Sequence, residues 1–127
     1  HLENPEMCYH EIRNNQDIAV FISETNGLHD GYLVSAHYEH TGFAWGNPLY
    51  VDEQKAILKL QIMVTSMHST RIELVFEAVR AWEIKENQTE RLDSSVSFTD
   101  DGLIHWHSDD DDVIAKSMKW RIVPDHD

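Results

Sequence analysis

Cysteine is almost missing from this chain of 127 residues: the one thiol is Cys8. A single cysteine cannot close an internal disulfide, so a reducing compartment, the cytoplasm, is expected. Proline (three) and glycine (five) are few, and no low-complexity linker or internal repeat divides the chain. One domain over residues 1–127 follows. No apolar run approaches the roughly 18 residues that a membrane span needs, and the amino end lacks the basic-then-apolar layout of a signal peptide. No membrane partner is expected.

Basic residues are also short. Ten Lys and Arg face 23 Asp and Glu, a formal charge of −13 with histidine neutral. Residues 1–53 carry nine acids against one base, residues 54–92 five against six, and residues 93–127 nine against three. Such a field repels nucleic acid and anionic lipid and attracts cations or basic surfaces. Nucleic-acid partners are thereby disfavoured. The plainer reading of the surplus is that it keeps the protein soluble. The usual catalytic layouts are missing too: no GxSxG elbow, no phosphate-cradling glycine loop and no cysteine set for a metal. Cys8 has no evident base to activate it. No cofactor is expected.

What the chain does have is an ordinary globular composition, 41% hydrophobic and 26% charged, with two kinds of apolar spacing. Between Asn14 and Thr25, Ile18, Ala19, Phe21 and Ile22 recur at helical intervals; Asn14 or Asn15 can cap the start and Asn26-Gly27 can stop it. After Gly27 the period becomes two. Tyr32, Val34, Ala36 and Tyr38 share one side of a first strand, and Leu58, Leu60, Ile62 and Val64 mark the clearest one. Ile72, Leu74, Phe76 and Ala78 follow, with Arg80 out of phase and suggesting a bulge, before Trp82 and Ile84. Val96–Phe98 and Leu103–His107 flank the turn Asp100-Asp101-Gly102, and Ile114, Met118, Trp120 and Ile122 mark the last strand. The expected fold is α+β and mainly β. One helix over about 14–25 packs on an antiparallel sheet of about six strands within 31–123, with the sheet open or curled into a partly closed barrel. In this reading Trp82 and Trp120 are core, and residues 1–10 are loose or short-helical.

Three stretches, in order over about residues 17–122, carry a resemblance: Leu28-His29-Asp30-Gly31-Tyr32-Leu33, Arg71-Ile72-Glu73-Leu74-Val75-Phe76-Glu77, and Asp101-Gly102-Leu103-Ile104-His105-Trp106 with Ala115-Lys116-Ser117-Met118-Lys119-Trp120-Arg121. The pattern, "HD…IELxF…GLIxW…KWR", resembles uncharacterised small bacterial β-rich proteins, some found near toxin–immunity genes. The resemblance implies the fold more than an activity.

The motifs admit competing readings. His105-Trp106-His107 puts two imidazoles on one face of a strand, able to chelate zinc if His29, Asp30, His37 or Asp109 converges as a third ligand. The alternative is two histidines on a solvent-facing strand. Asp109–Asp112 lacks the spacing of a calcium loop and reads as a solvated hairpin loop, or as an anionic patch for a partner's Arg and Lys. His29-Asp30 invites comparison with the metal phosphohydrolase "HD" motif. Those sites need further histidines and aspartates on helices, and here one helix is expected, so a local bond to backbone amides is the simpler reading. Trp45 and Tyr50 lie in a Gly/Pro-punctuated loop where an aromatic can anchor a contact; Trp106 fits either core or contact.

The leading expectation is a non-catalytic acidic protein-binding module, an immunity-type inhibitor of a basic toxin. Asp100, Asp101, Asp109, Asp110, Asp111, Asp112 and Glu53 would steer association, and Trp45, Tyr50 or Trp106 would hold the partner. The alternative is a small metal-dependent enzyme or metal-binding protein using His105 and His107. A barrel-like pocket for a small ligand is a third possibility.

Overall fold

The computed structural model describes residues 9–40, 56–68, 70–85, 94–109 and 111–124. They form strands β1 (His10–Glu11), β2 (Gly31–His40), β3 (Ala56–Val64), β4 (Thr70–Glu83), β5 (Ser94–Phe98), β6 (Ile104–Ser108) and β7 (Asp111–Ile122), and one helix, α1 (Asn15–Thr25). All pairings are antiparallel, in the order β2-β3-β4-β7-β6-β5. β7 is the spine: β4 runs along one flank, while β6 and then β1 share the other. The sheet is open, with β2 and β5 at its ends. No helix among the described residues is long and apolar enough to cross a membrane.

The helix begins where a reciprocal cap can form. Asn14 Oδ1 accepts from the Asp17 amide at 2.9 Å, and Asp17 Oδ2 accepts from the Arg13 amide at 2.8 Å. Two amide groups at the helix entry thus find partners, and the Asp17 carboxylate complements the positive end of the dipole. The helix stops at Asn26, whose φ of 54° is left-handed and whose amide bonds the Ile22 carbonyl. Phe21 is fully buried and meets Trp120 with ring centroids 5.5 Å apart, which seats α1 on the sheet.

The core follows the twofold alternation of β3. Leu58, Leu60, Ile62 and Val64 have no exposed surface. Register sets Leu58 beside Phe76 and Leu60 beside Leu74, and Phe76 and Leu74 in turn sit beside Met118 and Trp120. Each such side chain contributes about 1.5–3 kcal/mol by leaving water. The alternation of β4 breaks where expected. Ala78 takes a φ of 54°, and the β4–β7 register shifts between Val79 and Ala81, around Arg80. On β7 Lys116 and Ser117 are both exposed, and beyond them Val113 and Ala115 face the core.

Four expectations are corrected. His10–Glu11 is a strand rather than loose chain, because Trp120 and Lys119 offer it a free flank of β7. On β2 the register shifts between Leu33 and Ser35. Leu33 therefore lies opposite Ile62 and packs on the core, while Val34 is 46% exposed, so Tyr32, Val34, Ala36 and Tyr38 do not share one face. Trp82 is 42% exposed instead of buried; among the described residues it pairs with Val113 of β7 on one side and has no β3 partner on the other. The aspartate run is not one loop: Asp111 and Asp112 begin β7.

Candidate functional site

Strand alternation decides which side chains of β6 and β7 can meet a ligand. Ile104, Trp106 and Ser108 point inward and are buried; His105 and His107 point outward. Trp106 is thus a core residue, set between Val96 and Val113 by register, and offers no surface to a partner. Across the hairpin His107 pairs with Asp112 and His105 with Ile114, so Asp112 lies opposite one histidine and diagonal to the other. Its Oδ1 is 2.5 Å from His105 Nε2 and 3.2 Å from His107 Nδ1. Potential ligand atoms of the three residues all lie within 4.8 Å of one another. The hydrogen bond from His105 is the main cause holding the Asp112 carboxyl below its usual range, with that from His107 adding to it.

His29, Asp30, His37 and Asp109 are not members of this group. His29 Nε2 is 3.5 Å from Asp30 Oδ1, and the His29 and Asp30 carbonyls accept from the Ser66 and Thr65 hydroxyls at 2.8 and 3.0 Å. These bonds run from side-chain hydroxyls to the pair's main-chain carbonyls, not from backbone amides to its side chains as expected, and they tie the helix exit to the β3–β4 turn. Asp112 is the member of this group that motif reading missed. Placing the β6–β7 turn at residues 109–110 and counting outward pairs 108 with 111 and 107 with 112, which would have found it.

The acidic candidates separate. Asp100 and Asp101 are exposed in the β5–β6 turn, where Gly102 supplies a φ of 82°. Asp109 is exposed in the β6–β7 turn, at the other end of β6. Five residues of strand hold the two turns about 17 Å apart. Asp111 is only 2% exposed, because its carboxylate accepts from the Lys85 amide at 2.8 Å. Trp45, Tyr50, Glu53 and Asp110 lie outside the described residues.

Exposed aromatic surface is found elsewhere. Tyr38 on β2 and Trp82 on β4 stack with centroids 5.1 Å apart, yet they stay 40% and 42% exposed. One register shift on β4, between Val79 and Ala81, precedes Trp82, and one on β2, between Leu33 and Ser35, precedes Tyr38. Several cations on the sheet are engaged with carboxylates. Arg121 Nε donates to Glu73 at 2.9 Å, Lys119 Nζ is 3.9 Å from Glu77, and Lys85 Nζ is 3.0 Å from Glu83. Glu73 is buried and also accepts from the Tyr9 hydroxyl and from Gln61 Nε2. Burial alone would raise its pKa, but these hydrogen bonds more than offset that and lower it. The Tyr9 hydroxyl is pushed up to about 12 by burial and by the Glu73 carboxylate it serves.

Comparisons with protein-family models, curated proteins and solved structures give no significant match.

Proposed function

We propose that this chain is a non-catalytic acidic protein-binding module that acts in the cytoplasm as an immunity-type inhibitor of a basic toxin. The observation that carries this reading is the Tyr38–Trp82 stack. Two large aromatics lie against each other at the end of an open sheet and keep two-fifths of their surface in solvent, on a chain of net charge −13. Aromatic faces accept arginine and lysine through cation–π contact. Acids at the two turns of β6 would steer a basic partner from a distance, while the stack would set how long it stays.

Co-purification with basic products of neighbouring genes, at low and high salt, tests this. The complex should weaken at high salt, and it should weaken at least about tenfold when Trp82→Ala removes the stack, the scale of one hot-spot anchor. A complex indifferent to both salt and Trp82→Ala, or no complex with any basic neighbour, rejects it.

A further inference from the structure

Separately from the partner surface, we propose that the outward face of the β6–β7 hairpin is a site for one divalent first-row transition cation of the zinc type, held by His105, His107 and Asp112.

Three observations converge. The first is placement. Two histidines two residues apart on a strand point the same way, and register brings the aspartate of the next strand to both. The connection between the strands is a short turn, so the backbone fixes all three positions and only side-chain torsions remain to be set. The second is distance. Nitrogen and oxygen ligands about 2.0–2.2 Å from a tetrahedral ion lie about 3.3 Å from one another. The His107–Asp112 separation of 3.2 Å already matches that spacing. The His105–Asp112 contact of 2.5 Å must open by under an ångström, while the widest separation, at most 4.8 Å, must close. Rotation of the rings suffices, since all three side chains reach solvent, at 35%, 46% and 44% exposure.

The third is chemistry. Two imidazole nitrogens and one carboxylate oxygen suit zinc, cobalt, nickel or copper(II); calcium and magnesium require mostly oxygen, and a copper(I) site would use sulfur. With Asp112 Oδ1 shared by both rings, the cluster already positions a carboxylate where an ion would sit beside it. The surroundings favour positive charge. Glu83 pairs with Asp112 across β4–β7, but Lys85 Nζ lies 3.0 Å from its carboxylate and balances it, so the attraction for a cation comes from the chain's net charge of −13. Serines 95 and 97 of β5, opposite His107 and His105, are small and leave the approach open. Three protein ligands leave the fourth position to water, and the bound ion would staple β6 to β7.

The test uses the full chain without a histidine tag, stripped with chelator and titrated calorimetrically with zinc, calcium and magnesium, then with cobalt(II) followed by visible absorption. One zinc per chain should bind and raise the melting temperature, cobalt should show tetrahedral absorption bands, and calcium and magnesium should give no heat. His105→Ala, His107→Ala and Asp112→Asn should each weaken zinc at least about tenfold, since loss of even a supporting partner does as much. His37→Ala, which removes an exposed histidine of β2, should leave binding unchanged. Melting curves of the metal-free variants establish that they fold, and His105→Gln replaces any alanine variant that does not. No stoichiometric binding overturns the proposal. So does zinc binding that survives the three ligand substitutions or falls with His37→Ala, which would put the ion on other histidines.

Discussion

The indole of Trp106 packs on the ring of Phe76 with centroids 6.0 Å apart, and neither side chain has any surface in solvent. The pair links β6 to β4 across the intervening β7, so it ties together strands that are not hydrogen-bonded neighbours. Phe76→Ala and Trp106→Ala should each cost about 3–5 kcal/mol in urea unfolding, by transfer and cavity terms together. The double variant should lose less than the sum, because the rings share contacts. Trp82→Ala, at an exposed position, should cost under about 1 kcal/mol. Equal losses at Trp82 and Trp106 would contradict the exposure of the one and the burial of the other.

Gly31 opens β2 where the chain passes closest to the core. A Cβ built there would lie 2.7 Å from Ile62 Cγ2 and 2.8 Å from the Leu28 carbonyl oxygen. Gly31→Ala should therefore destabilise by about 1–3 kcal/mol, the usual scale of overpacking. Gly102→Ala meets no atom within 4 Å, but its φ of 82° strains any L side chain, so its penalty is conformational alone. Crowding predicts that Ile62→Ala, which removes the Cγ2 methyl, costs less in the Gly31→Ala background than alone, and the same in the Gly102→Ala background. Denaturant midpoints of the single and paired variants decide this.

At the helix entry, Asn14→Ala should cost about 0.5–2 kcal/mol by freeing the Asp17 amide. Asn15→Ala, one residue inside the helix, should be nearly neutral. Thermal melts of the two variants separate the two capping residues that sequence reading left open.

The cluster of Glu73, Tyr9 and Arg121 gives stability a pH signature at both ends. The folded pKa of Glu73 lies below its unfolded value, so its contribution is present above the unfolded pKa and is lost as pH falls through the folded one. Tyr9 runs the other way. Its folded pKa of about 12 lies above the ordinary 10.0, so its contribution is intact below 10 and is lost as pH rises toward 12. Glu73→Gln should flatten the acid limb of a stability–pH profile and Tyr9→Phe the alkaline limb. Unchanged limbs in both variants would mean that the cluster does not couple to folding.

Much of the fold was readable from local spacing. The regular alternation of β3 and the capped apolar stripe of α1 each depend on neighbours a few residues away, and both appear as the pattern implies except at Ala19, which is exposed. The out-of-phase Arg80 marked a real register shift. What escaped reading depends on distant parts of the chain. Val34 carries the same signature as a buried strand residue, and only the shifted pairing with β3 turns it outward. Trp82 is exposed although it pairs with Val113 of β7, and Asp111 is buried because the Lys85 amide, 26 residues away in the chain, donates to it. The two histidines were visible as a spacing; the aspartate between them required the pairing register, which an unbroken run of four like charges conceals.

That run has a consequence for insertions and deletions. Asp111 turns to the interior and Asp112 to the exterior, so adjacent acids of one charged stretch have opposite duties. Shortening the hairpin tip by one residue would slide each strand position onto its neighbour's side, offering a buried amide to a residue that should stand in water and presenting the imidazoles with a valine or an inward carboxylate. The length of this tip, more than the number of acids in it, sets which side chain of β7 meets the imidazoles.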